Sequence, residues 1–241
     1  MNCKLYNTVL LIAVLLMLLP SCVKNDNYEG PNASLSGNVY QAGTEQLVQT
    51  CTGNFSIRLE QLSWADMPAP QDIPIKVDGT YRNSKLFSGH YRVSIHGGAF
   101  WPVEPIEMDL GMGSIHDFTL TPFLLLTDFT AELIDSTTLK LNFNLEAPAP
   151  GIPMISEIQP YVNTTDIVGP GASIQDYSTD LMERIGKEWA EFTEQDKHRE
   201  IIIPGLVPGR TFYVRAGVRF NNDDNSSNLS PIIKIEVPAA N

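Results

Sequence analysis

Between residues 139 and 146 the chain reads Leu-Lys-Leu-Asn-Phe-Asn-Leu-Glu, apolar at every odd position and polar at nearly every even one. Side chains alternate faces residue by residue only in an extended strand, so this segment is a half-buried strand and cannot gather one apolar face as a helix. The same period governs Leu35, Gly37 and Val39, then Phe55, Ile57 and Leu59, then Tyr91, Val93 and Ile95. Turn formers separate the runs. With 17 Gly and 17 Pro the chain is too rich in breakers for a helical bundle, and with 43% hydrophobic residues it is too apolar for disorder. The expected fold is all-β: two β-sandwich domains in series, the second with a short helical insertion.

The start of the chain has a different grammar. Lys4 precedes an apolar run from Val9 to Leu19, followed by Pro20, Ser21 and Cys22. Eleven apolar residues are too few to span a hydrocarbon core of ~30 Å as a helix and fit the central region of a secretory signal. The ending Leu19-Pro20-Ser21-Cys22 resembles the bacterial lipobox, which implies a signal peptide over 1–21 and lipid attachment at Cys22. Residues 22–32 then read as a polar, acidic tether that holds the body off the membrane. A short acidic stretch directly after such a Cys also resembles the surface-export signal of Bacteroidota lipoproteins. The expected location is therefore the outer membrane, lipid-anchored, facing the cell exterior.

Charge and cysteine content narrow the partners. The formal charge is −12, and loss of Lys4 with the signal leaves 15 basic against 28 acidic side chains. No basic face is available for phosphate backbones, which excludes nucleic acid as a partner, and anionic lipid would repel the body. Of three cysteines, Cys3 leaves with the signal and Cys22 is acylated. Cys51 then has no partner for a disulfide, so stability must come from packing, and Cys51 reads as a small buried residue.

Residues 33–121 contain Asp78-Gly79-Thr80-Tyr81 and Leu86-Phe87-Ser88-Gly89-His90-Tyr91, which resemble the core of carboxypeptidase-regulatory-like and transthyretin-like sandwiches. Strands are also expected over Ile73 to Val77 and Ile115 to Leu120. Thr121-Pro122 closes the first unit, because proline ends ladder bonding. In residues 122–241, the run Gly205-Leu206-Val207-Pro208-Gly209-Arg210-Thr211-Phe212-Tyr213-Val214 resembles the entry to strand F of fibronectin type III domains. Phe212 occupies the place of that family's corner tyrosine, so either Tyr213 substitutes from the other face or packing alone holds the corner. Leu181, Ile185, Trp189 and Phe192 fall on one helical face behind Asp180, which predicts a short helix there, weakened by Gly186. Four consecutive apolar residues, Phe123 to Leu126, place apolar groups on both faces of a strand, so a fixed contact with the first domain is expected around them. The order of lipobox, regulatory-like sandwich and fibronectin-like domain resembles a family of uncharacterised two-domain surface lipoproteins from Bacteroidota glycan-utilisation loci.

Catalytic machinery is not visible. The chain has no G-x-S-x-G elbow, H-E-x-x-H helix or phosphate-binding glycine loop, so no catalytic or cofactor-binding residue is assigned and no cofactor is expected. His90 and His96 share a strand face but stand ~20 Å apart, too far for one metal. Asn221 to Asn228 offers oxygen ligands in an order that a solvated loop explains better than a calcium site. Exposed aromatics remain the one lead, because sugar rings stack on them. Trp64, Phe100 and Trp101 are the candidate ligand contacts, with packing at the sandwich ends as the competing role. Tyr213, Arg215 and Arg219 share one face of strand F, solvated or turned to the other domain. These features imply a non-enzymatic accessory protein, joined to the membrane by its anchor and partnered by a polysaccharide or an outer-membrane glycan transporter complex. The second reading is a carboxylate-dependent hydrolase acting on polysaccharide.

Overall fold

The computed structural model describes residues 29–51 and 53–240, so Cys22 and most of the tether lie outside the described residues. Pro31–Asn241 forms one compact unit, distinct from Met1–Gly30. It contains two sandwiches.

The first is built from β1 (Ala33–Gln41), β2 (Phe55–Gln61), β3 (Gln71–Pro74), β4 (Thr80–Leu86), β5 (Gly89–Gly97), β6 (Ile106–Leu110), β7 (Ser114–Ile115) and β8 (Phe118–Leu120). One sheet runs β3-β2-β5-β6, while in the other β1 pairs antiparallel with β4 and parallel with β7 and β8. Pro74 is tolerated because β3 is an edge. The expected strand over 73–77 ends there. Leu35, Val39, Ile57, Leu59 and Val93 meet in the core, as their alternation requires. In the Asp78-Gly79-Thr80-Tyr81 motif, Asp78 Oδ1 accepts the Thr80 N–H at 3.0 Å and Gly79 takes φ +77°. The Tyr81 hydroxyl then donates to the His116 carbonyl at 2.6 Å. That carbonyl crosses so near β1 that a Cβ at Gly37 would lie 1.7 Å from its oxygen, so only glycine admits the crossing.

The second sandwich follows with β9 (Leu125–Leu133), β10 (Leu139–Glu146), β11 (Ile155–Asn163), β12 (Glu183–Lys187), β13 (His198–Ile203), β14 (Thr211–Phe220), β15 (Ser227–Leu229) and β16 (Ile233–Glu236). Its sheets run β13-β10-β9 and β12-β11-β14, with β15 and β16 in turn along the far side of β14. No ladder among the described residues joins a strand before Thr121 to one after it; an isolated bridge pairs Phe100 with Pro122.

Residues 176–199 depart from the expected helix. Thr179–Leu181 and Trp189–Glu191 are 3-10 turns, and the one α-helical turn, α1 (Glu194–Lys197), is capped reciprocally by Thr193 and Asp196. Between them β12 pairs with β11, with Gly186 at φ +62°. The open edge of β11 offers backbone partners that an isolated helix with a central glycine cannot outbid. Ile185, Trp189 and Phe192 still reach the core that their spacing suggested, by another backbone route.

The corner that leads into β14 is completed by a residue from this insertion. Phe212 is buried, and Tyr177 packs edge-on against it at 5.8 Å between ring centroids. The Tyr177 hydroxyl donates to the Gly205 carbonyl at 3.0 Å, so the hydroxyl missing at position 212 comes from Tyr177, neither from Tyr213 nor left to packing alone.

Candidate functional site

The outer face of the β11–β14 sheet is where the two sandwiches meet. Phe212, Val214, Ala216 and Val218 point into the second core, which leaves Tyr213, Arg215, Gly217 and Arg219 outward. Opposite them on β11 stand Asn163, Tyr161, Gln159 and Glu157. Arg215 is fully buried. Its Nη1 donates to the Thr50 carbonyl of the first sandwich at 2.7 Å, and its Nε and Nη2 donate to the Ser230 carbonyl at 3.0 and 2.6 Å. Burial without a carboxylate pulls this guanidinium down to about 10, so it remains charged at neutral pH and holds the carbonyls by charge-assisted bonds.

Other contacts fix the same seam. The Asn228 side chain donates to the Ala99 carbonyl at 2.9 Å and accepts the Leu124 N–H at 2.8 Å. Phe123, Leu124 and Leu126 are buried in the second core, and Ala99 and Trp101 from the first sandwich join their cluster. A Cβ at Gly217 would lie 2.6 Å from the Tyr161 ring and 2.7 Å from Leu229, so glycine lets both close over β14. The Cys51 thiol sits in this packing, pushed up by burial against the opposing pull of Arg215. It is a packed side chain, as the sequence suggests.

Two clefts flank the Arg215 contact along this face. On the side of Arg219, a cleft of about 340 Å³ is lined by Asn54, Gln159, Arg219, Asp224 and Ser227. Its polar groups are largely engaged with one another: Arg219 donates to the Asn225 carbonyl at 3.0 Å, and Asn54 to the Ser227 carbonyl at 3.3 Å. Its aromatic residue, Tyr161, is buried and offers no ring face. On the other side, a more open groove of about 690 Å³ is lined by Tyr213 and Ile232 of one sandwich and Ile75 and Val77 of the other. Lys76, Asp78, Asp166 and Lys234 also line it. Lys234 pairs with Glu236 at 2.6 Å, and Thr80 holds the Asp78 carboxyl below its usual range, so Asp78 stays ionised. Lys76 and Asp166 enter no ion pair among the described residues. An aromatic and aliphatic wall with ammonium and carboxylate groups beside it suits a ligand that has apolar faces and many hydroxyls.

The aromatics singled out from the sequence do not converge. Trp64 is 78% exposed in the turn after β2, beyond the Gln61–Tyr91 pair. Trp101 lies beyond the opposite Phe55–Gly97 pair, a strand length of about 20 Å away. Trp101 packs edge-on against Phe123 at 5.5 Å, and its indole N–H is buried without a partner among the described residues. Phe100, only 8% exposed, sits in the first core with its ring 4.9 Å from Phe55. Trp101, by contrast, fills the junction, packed into the cluster of Phe123 and Leu124. The Asn221–Asn228 loop spends its amides on itself and on the seam, with Asn222 bonded to Ser226 at 2.8 and 3.0 Å. Among the described residues no group of three or more His, Cys, Asp or Glu is placed to hold a metal. Sequence reasoning missed the groove because its walls come from residues 74–78, 166–167, 213, 232 and 234, which no local pattern connects.

Comparison with known proteins bears on the fold. Residues 33–121 match the family described as "Protein of unknown function (DUF3823) N-terminal domain". A DUF3823 family protein from Bacteroides uniformis is 24% identical, with a TM-score of 0.73 over 86% of this chain and 100% of that one. A second B. uniformis structure, of a candidate carbohydrate binding protein, is 20% identical with a TM-score of 0.72 over the same shares. A DUF3823 family protein from Parabacteroides merdae is 16% identical with a TM-score of 0.67. No curated protein matches the chain. At these identities the likeness is one of fold.

Proposed function

We propose that this chain is a non-enzymatic accessory protein that binds glycan in the Tyr213 groove, anchored through Cys22 at the outer membrane and facing the exterior. The observation that carries the reading is the groove itself: a tyrosine and aliphatic wall between two fixed sandwiches, bordered by Lys76, Asp78, Asp166 and Lys234. Sugar rings offer apolar C–H faces to such a wall and hydroxyls to such neighbours. The fold shared with the B. uniformis candidate carbohydrate binding protein supports it. The lipobox-like Leu19-Pro20-Ser21-Cys22 supports the anchor. A partner role beside a glycan transporter complex belongs to the same reading. The three-strand sheet β13-β10-β9 facing β12-β11-β14 supports a fibronectin type III-like second domain, and the paired Tyr81 and Tyr91 hydroxyl bonds support a regulatory-like first one.

A polysaccharide panel read by calorimetry tests the claim with the whole chain. Binding by the native protein should weaken at least tenfold in Tyr213→Ala, the loss of one stacking platform, and stay unchanged in Phe100→Leu. Binding that ignores Tyr213→Ala, or no binding across the panel, would overturn the groove as a glycan site.

A further inference from the structure

The end of the first sandwich away from the seam is the end where β1 begins. Three turns close it, two of them bonded to the residues that open β1 and the third to β5. The Ser34 N–H donates to the Gly111 carbonyl at 3.0 Å, and the Ser88 N–H donates to Asn32 Oδ1 at 2.8 Å. The Ser63 N–H donates to the His90 carbonyl at 3.2 Å. Each turn carries large apolar side chains outward: Trp64 and Met67 are 78% and 92% exposed, Phe87 48% and Met112 86%. Single exposed apolar residues are ordinary on a protein surface, but four on one end mark a contact surface.

We infer that this end is a membrane-interface surface, resting on the bilayer that holds the Cys22 anchor. The inference depends on the anchoring part of the proposed function. Nine residues lie between Cys22 and Asn32, which stands at this end. Even fully extended, a chain of that length reaches at most about 35 Å, so an anchor at Cys22 keeps the four side chains near the headgroup region at high effective concentration. A weak apolar contact is then enough, and it adds to the acyl chains a second attachment. The side chains stand on three separate turns. A rigid partner would have to match each one with a pocket, whereas a headgroup layer yields to all of them. Tryptophan, with an apolar body and a polar N–H, suits that layer. Residues 62–70 contain one charge, Asp66, and no Lys or Arg, so attraction to anionic lipid plays no part and a zwitterionic surface suffices. Contact here would set the sandwich upright, placing the seam and its groove one strand length, about 27 Å along β5, away from the membrane.

The test uses the lipidated full chain reconstituted in phosphatidylcholine vesicles with brominated acyl chains, which quench only indoles at the bilayer. Tryptophan emission should be quenched relative to unbrominated vesicles, the quenching should be lost in Trp64→Phe, and Met67→Ser with Met112→Ser should weaken it. Chain that floats with the vesicles but shows no quenching would overturn the membrane contact and leave the anchor standing. Quenching that survives in Trp64→Phe would overturn it too. Failure to float, with equal palmitate labelling of native protein and Cys22→Ala, would remove the anchor and the contact together. Absent quenching combined with crosslinking from position 64 to an outer-membrane protein would replace the bilayer by a protein partner.

Discussion

Arg215 shows how one side chain can hold two domains. Its guanidinium serves carbonyls from three segments, Thr50, Val168 and Ser230, at the centre of the seam. Removing it strands at least two buried acceptors, each worth ~1–3 kcal/mol, so Arg215→Met should cost about 3 kcal/mol or more in chemical denaturation. Arg215→Lys should also destabilise, because a point ammonium cannot reach Thr50 and Ser230 in the fork geometry. A loss under ~1 kcal/mol in Arg215→Met would show that the seam does not depend on this contact. His90 gives a pH signature instead. Asp109 at 2.9 Å, and then Glu107 at 3.2 Å, raise its pKa above the ordinary 6.5. A raised pKa on folding makes the protonated form stabilising: the contribution is present below pH 6.5 and is lost as pH rises through the folded value. In an NMR titration the His90 midpoint should lie above 6.5 and fall in Asp109→Asn; a midpoint at or below 6.5 would contradict the pairing.

At the level of elements, the insertion after β11 completes the corner that leads into β14. Tyr177→Phe keeps the ring against Phe212 and removes only the bond to the Gly205 carbonyl, so it should cost about 1 kcal/mol, with Tyr177→Ala costing more. Equal stability of Tyr177→Phe and native protein would mean the hydroxyl is not used. The same region marks the limit of what the sequence reveals. Strands such as β2, β5 and β10 were legible because one face is buried and the other wet, which writes period two into the chain. Leu181, Ile185, Trp189 and Phe192 fit a helical period equally well, and the choice was made by the vacant edge of β11, a tertiary fact. On β11 itself, Ile155 and Ile158 both face inward despite their odd spacing because the register shifts between Ile155 and Glu157. Tyr161 and Val162 are adjacent and both buried, since one faces the core and the other the first sandwich. Alternation predicts which side a residue faces but not what covers that side, so Arg215 read as solvated or interdomain and the groove beside it did not read at all.

At the scale of the whole molecule, the described chain runs from the apolar end of one sandwich, across a fixed seam, and into a second sandwich. The seam gives the groove its walls from both bodies, so ligand affinity and domain docking are linked: whatever loosens the Arg215 contact should also weaken binding. The central claim is that glycan is held between the sandwiches at Tyr213, and the most direct measurement is hydrogen exchange on the full chain with and without a binding oligosaccharide. Slower exchange should concentrate in residues 74–78, 166–167, 211–214 and 232–234, the segments that meet at the groove. Protection centred instead on the Trp64 turn, or exchange left unchanged everywhere at saturating ligand, would contradict it.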